Sequence, residues 1–172
     1  MQFKTDAQGN RYITTRFSAA IYKRLLPFID AANATPDRYF RFTSAGYEPL
    51  VIENLEETFI GYPVFSITHY YDMNGDAMRD PDMRIFVDRV HGHIIPMYFR
   101  QDNAPFTPYG VYEQEVFADE RAMRYRPKVA SDLDSFLNLW SKNILDQGFN
   151  PEQAAPPEDA PMTLDSFAAT YA

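Results

Sequence analysis

The sequence has no cysteine and only seven glycines in 172 residues. Without cysteine, the chain can form neither a disulfide framework nor a zinc–thiolate site, and it has no thiol nucleophile. Glycine is too scarce for a phosphate-binding loop, and no dinucleotide fingerprint, nucleophile elbow or H-E-x-x-H motif occurs. These absences predict a noncatalytic protein without a cofactor, and they favour a cytoplasmic location.

Long apolar runs are also absent. The first 17 residues contain no stretch of signal-peptide length, and no segment approaches the roughly 18 apolar residues that a membrane span needs. We therefore expect neither secretion nor contact with a membrane.

Basic residues are outnumbered, with 16 Lys and Arg against 24 Asp and Glu and a formal net charge of -8. Non-specific attraction to nucleic-acid phosphates requires clustered positive charge. The one basic cluster, between Arg121 and Lys128, is more typical of a solvated connector than of a phosphate site. We expect the partner to be another protein, and nucleic acid not to be a direct ligand.

Aromatic residues are abundant, with 12 Tyr and 14 Phe, which favours a sheet. The first element, however, is a predicted helix, because apolar residues recur at helical spacing from Phe17 to Ala32. Thr14, Thr15 or Ser18 is expected to cap it, Pro27 to kink or shorten it, and residues 34–36 to stop it.

Short runs rich in Tyr, Phe, Val and Ile follow and predict strands. Their ranges are 38–43, 49–53, 63–71, 84–90, 94–100 and 109–117. In the third, alternation places Phe65, Ile67, His69 and Tyr71 on one face and Val64, Ser66, Thr68 and Tyr70 on the other. Because every connection is short, with Gly92 suited to a tight turn, the strands should pair antiparallel.

A second helix is predicted before Gly148, with Ser131 and Asp134 as a variant capping box and Trp140 in the core. The predicted fold is therefore α+β, with a largely antiparallel sheet of about five or six strands flanked by an N-terminal and a C-terminal helix. One domain should span residues 1–149. Residues 150–172 are predicted to be a flexible Pro/Ala/Glu-rich linker with a short amphipathic tail that carries Leu164, Phe167 and Tyr171.

The stretch from 69 to 82, HYYDMNGDAMRDPD, is the most unusual part of the sequence. We interpret it as an acidic turn in which Asx side chains bond nearby amides and Arg79 or Arg84 pairs with a carboxylate. It is also the predicted binding site, through residues Tyr71, Asn74, Asp76, Arg79, Asp80 and Asp82.

A hard-cation site is the alternative for this stretch, with candidate ligands Asp72, Asp76, Asp80 and His69. Oxygen ligands at alternate positions resemble the opening of a calcium loop. The match fails because Gly75 precedes Asp76 and because Met83 occupies the position of the bidentate glutamate.

The other two histidines allow a second metal hypothesis, a zinc or iron site built from His91, His93 and Asp88. With Gly92 between them, we expect both imidazoles to point to solvent instead. We expect His69 to be a hydrogen-bonded core residue.

The run HYYDMNGDAMRDPDM, with LVIE at 50–53, MYFRQD at 97–102 and GVYEQEV at 110–116, resembles an uncharacterised family of small domains from bacterial conjugative elements and phages. Its pattern is an NGD-x-M-x-DP-x-M core after an aromatic strand, and the resemblance covers about residues 17–118. It implies an origin in a mobile genetic element and no particular chemistry.

These observations leave several functions open. The leading hypothesis is a noncatalytic binding or accessory protein of a mobile element or phage that acts through protein–protein contact. One alternative is a metal-dependent enzyme that uses the 72–82 turn, with Asp76, Asp80 and Asp82 holding a cation and activating water. Others are an acidic mimic of nucleic acid and a structural part of a larger assembly.

Overall fold

A computed structural model of the chain describes residues 1–104 and 110–153. Two helices and eight strands occur in these residues. In chain order they are β1 Gln2–Thr5, β2 Arg11–Thr14, α1 Ser18–Asn33, β3 Tyr39–Phe42, β4 Leu50–Phe59, β5 Tyr62–Met73, β6 Asp76–Asp88, β7 His93–Gln101, β8 Tyr112–Glu115 and α2 Pro127–Asp146. In the described ranges, neither helix is both long and apolar enough to cross a lipid bilayer.

The main sheet has six strands in the order β3-β4-β5-β6-β7-β8, and every neighbouring pair is antiparallel. This confirms the predicted α+β class. Each strand pairs with the next one in sequence because every connection is too short for a crossover. The prediction that a helix is the first element was wrong, since β1 and β2 precede α1 and form a separate two-stranded hairpin.

Both helices pack on one face of the sheet. The apolar row on that face runs across five strands and is buried, through Phe40, Ile52, Ile67, Met83 and Phe99. The ring contacts Phe28–Phe42, from α1, and Phe136–Phe99, from α2, fix which face the helices cover. This row gives the helices their packing surface, with apolar burial worth roughly 25 cal/mol per Å². One end of the opposite face is also apolar, because Val64, Phe86 and Ile95 pair there and are buried.

Helix α1 contains Pro27 and still continues to Asn33, so the predicted early end was wrong. The stop after it is confirmed, with Ala34 as the C-cap. The predicted side-chain cap was also wrong, since the N-cap is Phe17. The Phe17 amide instead donates to the carboxylate of Asp134, which lies on the other helix.

Helix α2 begins at Pro127, four residues before the predicted cap. Proline suits the first helical position because its missing N–H would have no partner there. Asp134 is therefore an interior residue of the helix, 3% exposed, and accepts hydrogen bonds from the Thr15 hydroxyl and the Phe17 amide. It joins the two helices rather than capping its own.

The outer strand β3 is held at both ends by side chains. The amide of Tyr39 donates to the Thr35 hydroxyl, which lies 2.8 Å from the Tyr39 carbonyl oxygen. The amide of Thr43 donates to Oε1 of Gln153 at 2.8 Å, so the chain beyond α2 returns to the sheet. The predicted linker after Gln153, its amphipathic tail, and the start of the sixth predicted strand at 109 lie outside the described residues.

We predict that Asp134→Ala lowers the free energy of unfolding by about 1–3 kcal/mol, because it leaves two half-buried donors, the Thr15 hydroxyl and the Phe17 amide, without an acceptor. Urea denaturation followed by Trp140 fluorescence would measure this. Asp132→Ala is the matched control and should change stability little, because its pair with Lys128 is exposed. Equal losses for the two variants would contradict the bridging role of Asp134.

Candidate functional site

The acidic run is a β-hairpin and not a loop. Asn74 and Gly75 form its two-residue turn, with φ angles of 58° and 90°, and the Gly75 amide donates to Asp72 at 3.2 Å. Asp76 already belongs to β6. An Asn-Gly pair with positive φ at both residues matches the twist of flanking strands, which explains why the strands extend so far.

The carboxylates of this hairpin do not converge. Asp80 accepts a hydrogen bond from Gln101 at 2.9 Å, whereas Asp82 accepts one from the Thr68 hydroxyl at 3.0 Å. Gln101 is the neighbour of Arg100 in β7, so the two side chains point to opposite faces of the sheet. Because Arg100 is the residue that pairs with Asp82, the partner of Asp80 lies on the face opposite Asp82. A register shift between Thr68 and Tyr70 accompanies this separation.

His69 does not join the acidic residues either. Its Nδ1 donates to the carbonyl oxygens of Glu48 and Pro49 at 3.1 and 3.0 Å, and its ring packs near Trp140. Burial lowers the pKa of His69 and so favours the neutral ring. In the part of the chain that the structure describes, no group of three His, Asp or Glu side chains could hold a metal ion.

The remaining predicted binding residues are divided in the same way. Tyr71 is half-buried opposite Met78, on the face of β5 that also carries His69. Arg79 pairs with Tyr70 and contacts Asp82 and Asp102, on the other face. Only Arg79 and Asp82 of the predicted set therefore belong to one connected group.

That group lies on the face of the sheet opposite the helices, which we call the ladder face. Two rows of paired residues cross all six strands there. The first row is Tyr39, Glu53, Ser66, Arg84, Tyr98 and Glu115. The second row is Arg41, Val51, Thr68, Asp82, Arg100 and Glu113. No helix of the described chain packs on this face, and the charges along each row alternate in sign.

Asp102 organises the charges at one end of the ladder face. Its carboxylate accepts from the Arg79 amide and Nε, both at 3.1 Å, and from Arg100 Nε at 2.8 Å. Burial alone would raise the pKa of Asp102, but these hydrogen bonds hold it below its usual value. The two guanidinium groups are thereby fixed in place.

Asp82 behaves in the opposite way. It is buried, and burial raises its pKa although the Thr68 hydroxyl bonds to it. The nearest Arg79 nitrogen is 3.9 Å away, which is a weak ion pair. Asp82 is therefore the carboxylate of the second row whose charge is least compensated.

Exposed Arg84 and half-buried Tyr98 are paired neighbours in the first row. The Arg84 guanidinium lies over the Tyr98 ring, 5.3 Å from its centroid. The Tyr98 hydroxyl donates to Glu113, and burial together with Glu113 raises the pKa of Tyr98 to about 12. The phenol therefore stays protonated and remains a hydrogen-bond donor.

A cleft of about 430 Å³ opens beside this pair. Its apolar lining comes from Phe59, Met97 and Phe117, and its polar edge includes Arg84 and Glu115. Arginine and aromatic side chains are enriched among residues that dominate protein–protein binding energy. The ladder face thus has an apolar cleft next to rows of side chains whose charges alternate in sign.

A second cluster involves the histidines that we expected to face solvent, and that expectation was wrong. His91 Nδ1 lies 2.7 Å from Asp88, its Nε2 lies 3.1 Å from Asp6, and Tyr12 stacks on the ring at 3.9 Å. His93 Nδ1 lies 2.9 Å from the Ser18 hydroxyl. The pairing of His91 fastens the β1–β2 hairpin to the turn after β6.

Several members of the ladder face escaped prediction. The alternation along β5 predicted that Ser66 and Thr68 share a face opposite Phe65 and Ile67, and the register of β5 against β6 confirms this. Arg84 and Tyr98 carried no sequence signal that marks them as partners, because their pairing depends on the register of β6 against β7. Asp102 was missed as the partner of Arg79 because the two residues are 23 positions apart in the chain, so no local pattern links them.

A comparison with protein-family models matches residues 20–150 to a domain of unknown function, DUF6908. The chain belongs to this family. The match extends from the first turns of α1 to the residue after Phe149, so the ladder face lies entirely within the DUF6908 domain. No curated protein and no solved structure matches the chain.

We predict that the His91 pairing makes the stability of the DUF6908 domain depend on pH. Partial burial lowers the pKa of His91, but the bonds with Asp88 and Asp6 outweigh it and raise the pKa overall. The amide of Asn10, together with further hydrogen bonds, lowers the pKa of Asp6 from 3.8 to about 2.

The stabilisation by His91 should be complete below its ordinary pKa of 6.5 and lost as pH rises through the raised value. The stabilisation by Asp6 should be present above pH 3.8, the ordinary pKa of aspartate, and should be lost as the pH falls towards the lowered pKa of about 2. The difference in melting temperature between the natural chain and His91→Gln should therefore be largest between pH 3.8 and pH 6.5. A difference that grows at alkaline pH would contradict this.

We also predict that magnesium, calcium, manganese and zinc, each at millimolar concentration, leave the melting temperature of the DUF6908 domain unchanged. An ion that binds only the native state must raise the melting temperature. We expect no increase because the carboxylates of the hairpin lie too far apart to chelate one ion. An increase that Asp80→Asn abolishes would restore the cation-site hypothesis.

Proposed function

We propose that the DUF6908 domain is a noncatalytic binding protein whose ladder face engages another protein. The main supporting observation is the exposed Arg84 guanidinium over the half-buried Tyr98 ring, beside an apolar cleft and on a sheet face that no helix of the described chain covers. Such a face combines an aromatic anchor with polar groups that are already held in position, which reduces the entropy lost on binding.

The distribution of charge favours a protein partner over mimicry of nucleic acid. A mimic needs an extended stripe of one sign, as the DNA backbone has. The ladder face instead alternates, with Arg84 between Glu53 and Glu115 in one row and Asp82 between Arg41 and Arg100 in the other. Alternating charge sets the register of a complementary protein surface.

The arrangement of carboxylates argues against the metal-dependent enzyme. Activation of water by a cation needs ligands that converge on one point. Asp80 and Asp82 instead bond partners on opposite faces, and Asp72 is occupied by the amide of Gly75. The binding function therefore has more structural support than this alternative.

The resemblance to domains of conjugative elements and phages supports a partner that is present during transfer or infection. We propose that the domain acts as an accessory protein of such an element. This guides the choice of lysate, which should come from bacteria that carry a mobile element encoding a DUF6908 domain.

Affinity capture with the full chain would test the proposal. The baits are the natural chain, Arg84→Glu and the control Lys142→Glu, which makes the same charge change on the exposed side of α2. We expect at least one protein to be retained in near-stoichiometric amount by the natural chain and the control. Arg84→Glu should lower its affinity at least about tenfold, which corresponds to 1.4 kcal/mol.

Hydrogen exchange on the recovered complex would then locate the contact. The amides of β6 and β7 around Arg84 and Tyr98 should gain protection, and those of α2 should not. Retention of no partner, or of a partner that binds Arg84→Glu as well as the natural chain, would refute the proposed interface.

A further inference from the structure

A small hollow lies apart from the ladder face, between the β1–β2 hairpin, the turn after β4 and the segment around residue 121. Its volume is about 220 Å³. The residues that line it are Phe3, Arg11, Tyr12, Ile13, Ile60, Arg121 and Ala122. Because small-molecule sites typically have about 300–1,000 Å³, this hollow is better matched to one or two side chains of a peptide.

Three apolar side chains at the rim of the hollow are exposed. Phe3 is 38% exposed, Ile60 36%, and the nearby Met123 65%. Met123 belongs to the same surface because its sulfur lies 3.8 Å from an Arg11 nitrogen. These side chains supply apolar surface that a docked segment could cover.

The hollow is also basic, in a chain whose net charge is -8. Within residues 1–104 and 110–153, neither Arg11 nor Arg121 forms an ion pair. Arg11 instead lies over the Phe3 ring, 5.9 Å from its centroid. Two such guanidinium groups beside apolar side chains suit a peptide that carries both carboxylates and apolar anchors.

The C-terminal segment of this chain has that composition. Residues 154–172 contain Glu158, Asp159 and Asp165 and no Lys or Arg. Leu164 and Phe167 flank Asp165 closely, so an apolar anchor and a carboxylate lie within a few residues of each other. The segment therefore complements the hollow in charge and in apolar character.

The segment is also long enough to arrive there. Gln153 is hydrogen-bonded to Thr43, near the end of the sheet where Leu50 pairs with His69. Ile60 lies at the opposite end of the sheet, in the turn between β4 and β5. Seven residues of β5 separate these ends, which is roughly 23 Å at about 3.3 Å per residue. Phe167 lies 14 residues after Gln153, a span of up to about 46 Å when extended.

We propose that residues 162–172 dock intramolecularly into this hollow, with Phe167 or Leu164 between Phe3 and Ile60 and with Asp165 at Arg11 and Arg121. The hollow is then an internal peptide-binding site of the full chain, separate from the ladder face.

Paramagnetic labelling of the full chain would test this docking. Because the chain has no cysteine, Ala169→Cys places a nitroxide at a single position. In dilute, isotopically labelled protein, the amide signals of Ile60 and Ala122 should lose most of their intensity, and that of Lys142 should not. Reduction of the nitroxide should restore them.

Two sets of variants separate docking from chance proximity. Arg11→Glu/Arg121→Glu should abolish the loss of intensity, whereas Lys23→Glu/Lys142→Glu, an equal charge change on the exposed faces of the helices, should preserve it. Leu164→Ala/Phe167→Ala should also abolish it, without altering any residue of the described fold.

Three outcomes would overturn the proposal. The first is no loss of intensity at Ile60 and Ala122, and the second is a loss centred near Thr43, where the segment starts. The third is a loss that occurs only when labelled and unlabelled copies are mixed, which would make the occupant a second copy of the chain. The ladder-face proposal would be unaffected by any of them, because Arg84 does not line the hollow.

Discussion

The structure depends on burying one face of the meander against two helices. Alternation along β5 and β6 sends Phe65, Ile67, Met83 and Ile85 towards α1 and α2, where all four are buried. The opposite side chains of the same strands must then form the other face. The polar ladders are therefore a direct consequence of how the core is made, and a one-residue slip in register would exchange the two faces.

A polar face stays ordered only if its groups bond to each other. Asp102 fixes Arg79 and Arg100, and Glu113 contacts both Arg100 and Tyr98. Long side chains that are already immobilised lose less entropy when a partner arrives. Under the proposed function, this order would give the ladder face its specificity, and the neighbouring apolar cleft would supply contact area.

The sequence predicted the fold class well because class depends on local patterns. Short connections required antiparallel pairing, and helical spacing identified both helices. The predicted binding site stays a prediction, but its residues do not form one cluster. Local signals, namely the Asn74-Gly75 pair and the clustered aspartates, predicted a site in the hairpin. The carboxylates of the hairpin, however, lie on two different faces of the sheet. Pairings such as Arg79 with Asp102 and His91 with Asp6 depend on tertiary structure and leave no pattern in the sequence.

The anchoring of β3 by Thr35 and Gln153 has a consequence for assembly. In an antiparallel ladder, alternate residues of an outer strand direct their amide and carbonyl groups away from the sheet. The amide of Asn54 bonds to the carbonyl of Arg38, so Tyr39 and Thr43 are among the outward-directed residues. Thr35 and Gln153 already bond to them. A foreign strand that approached this border would have to displace both side chains, which discourages uncontrolled growth of the sheet into aggregates.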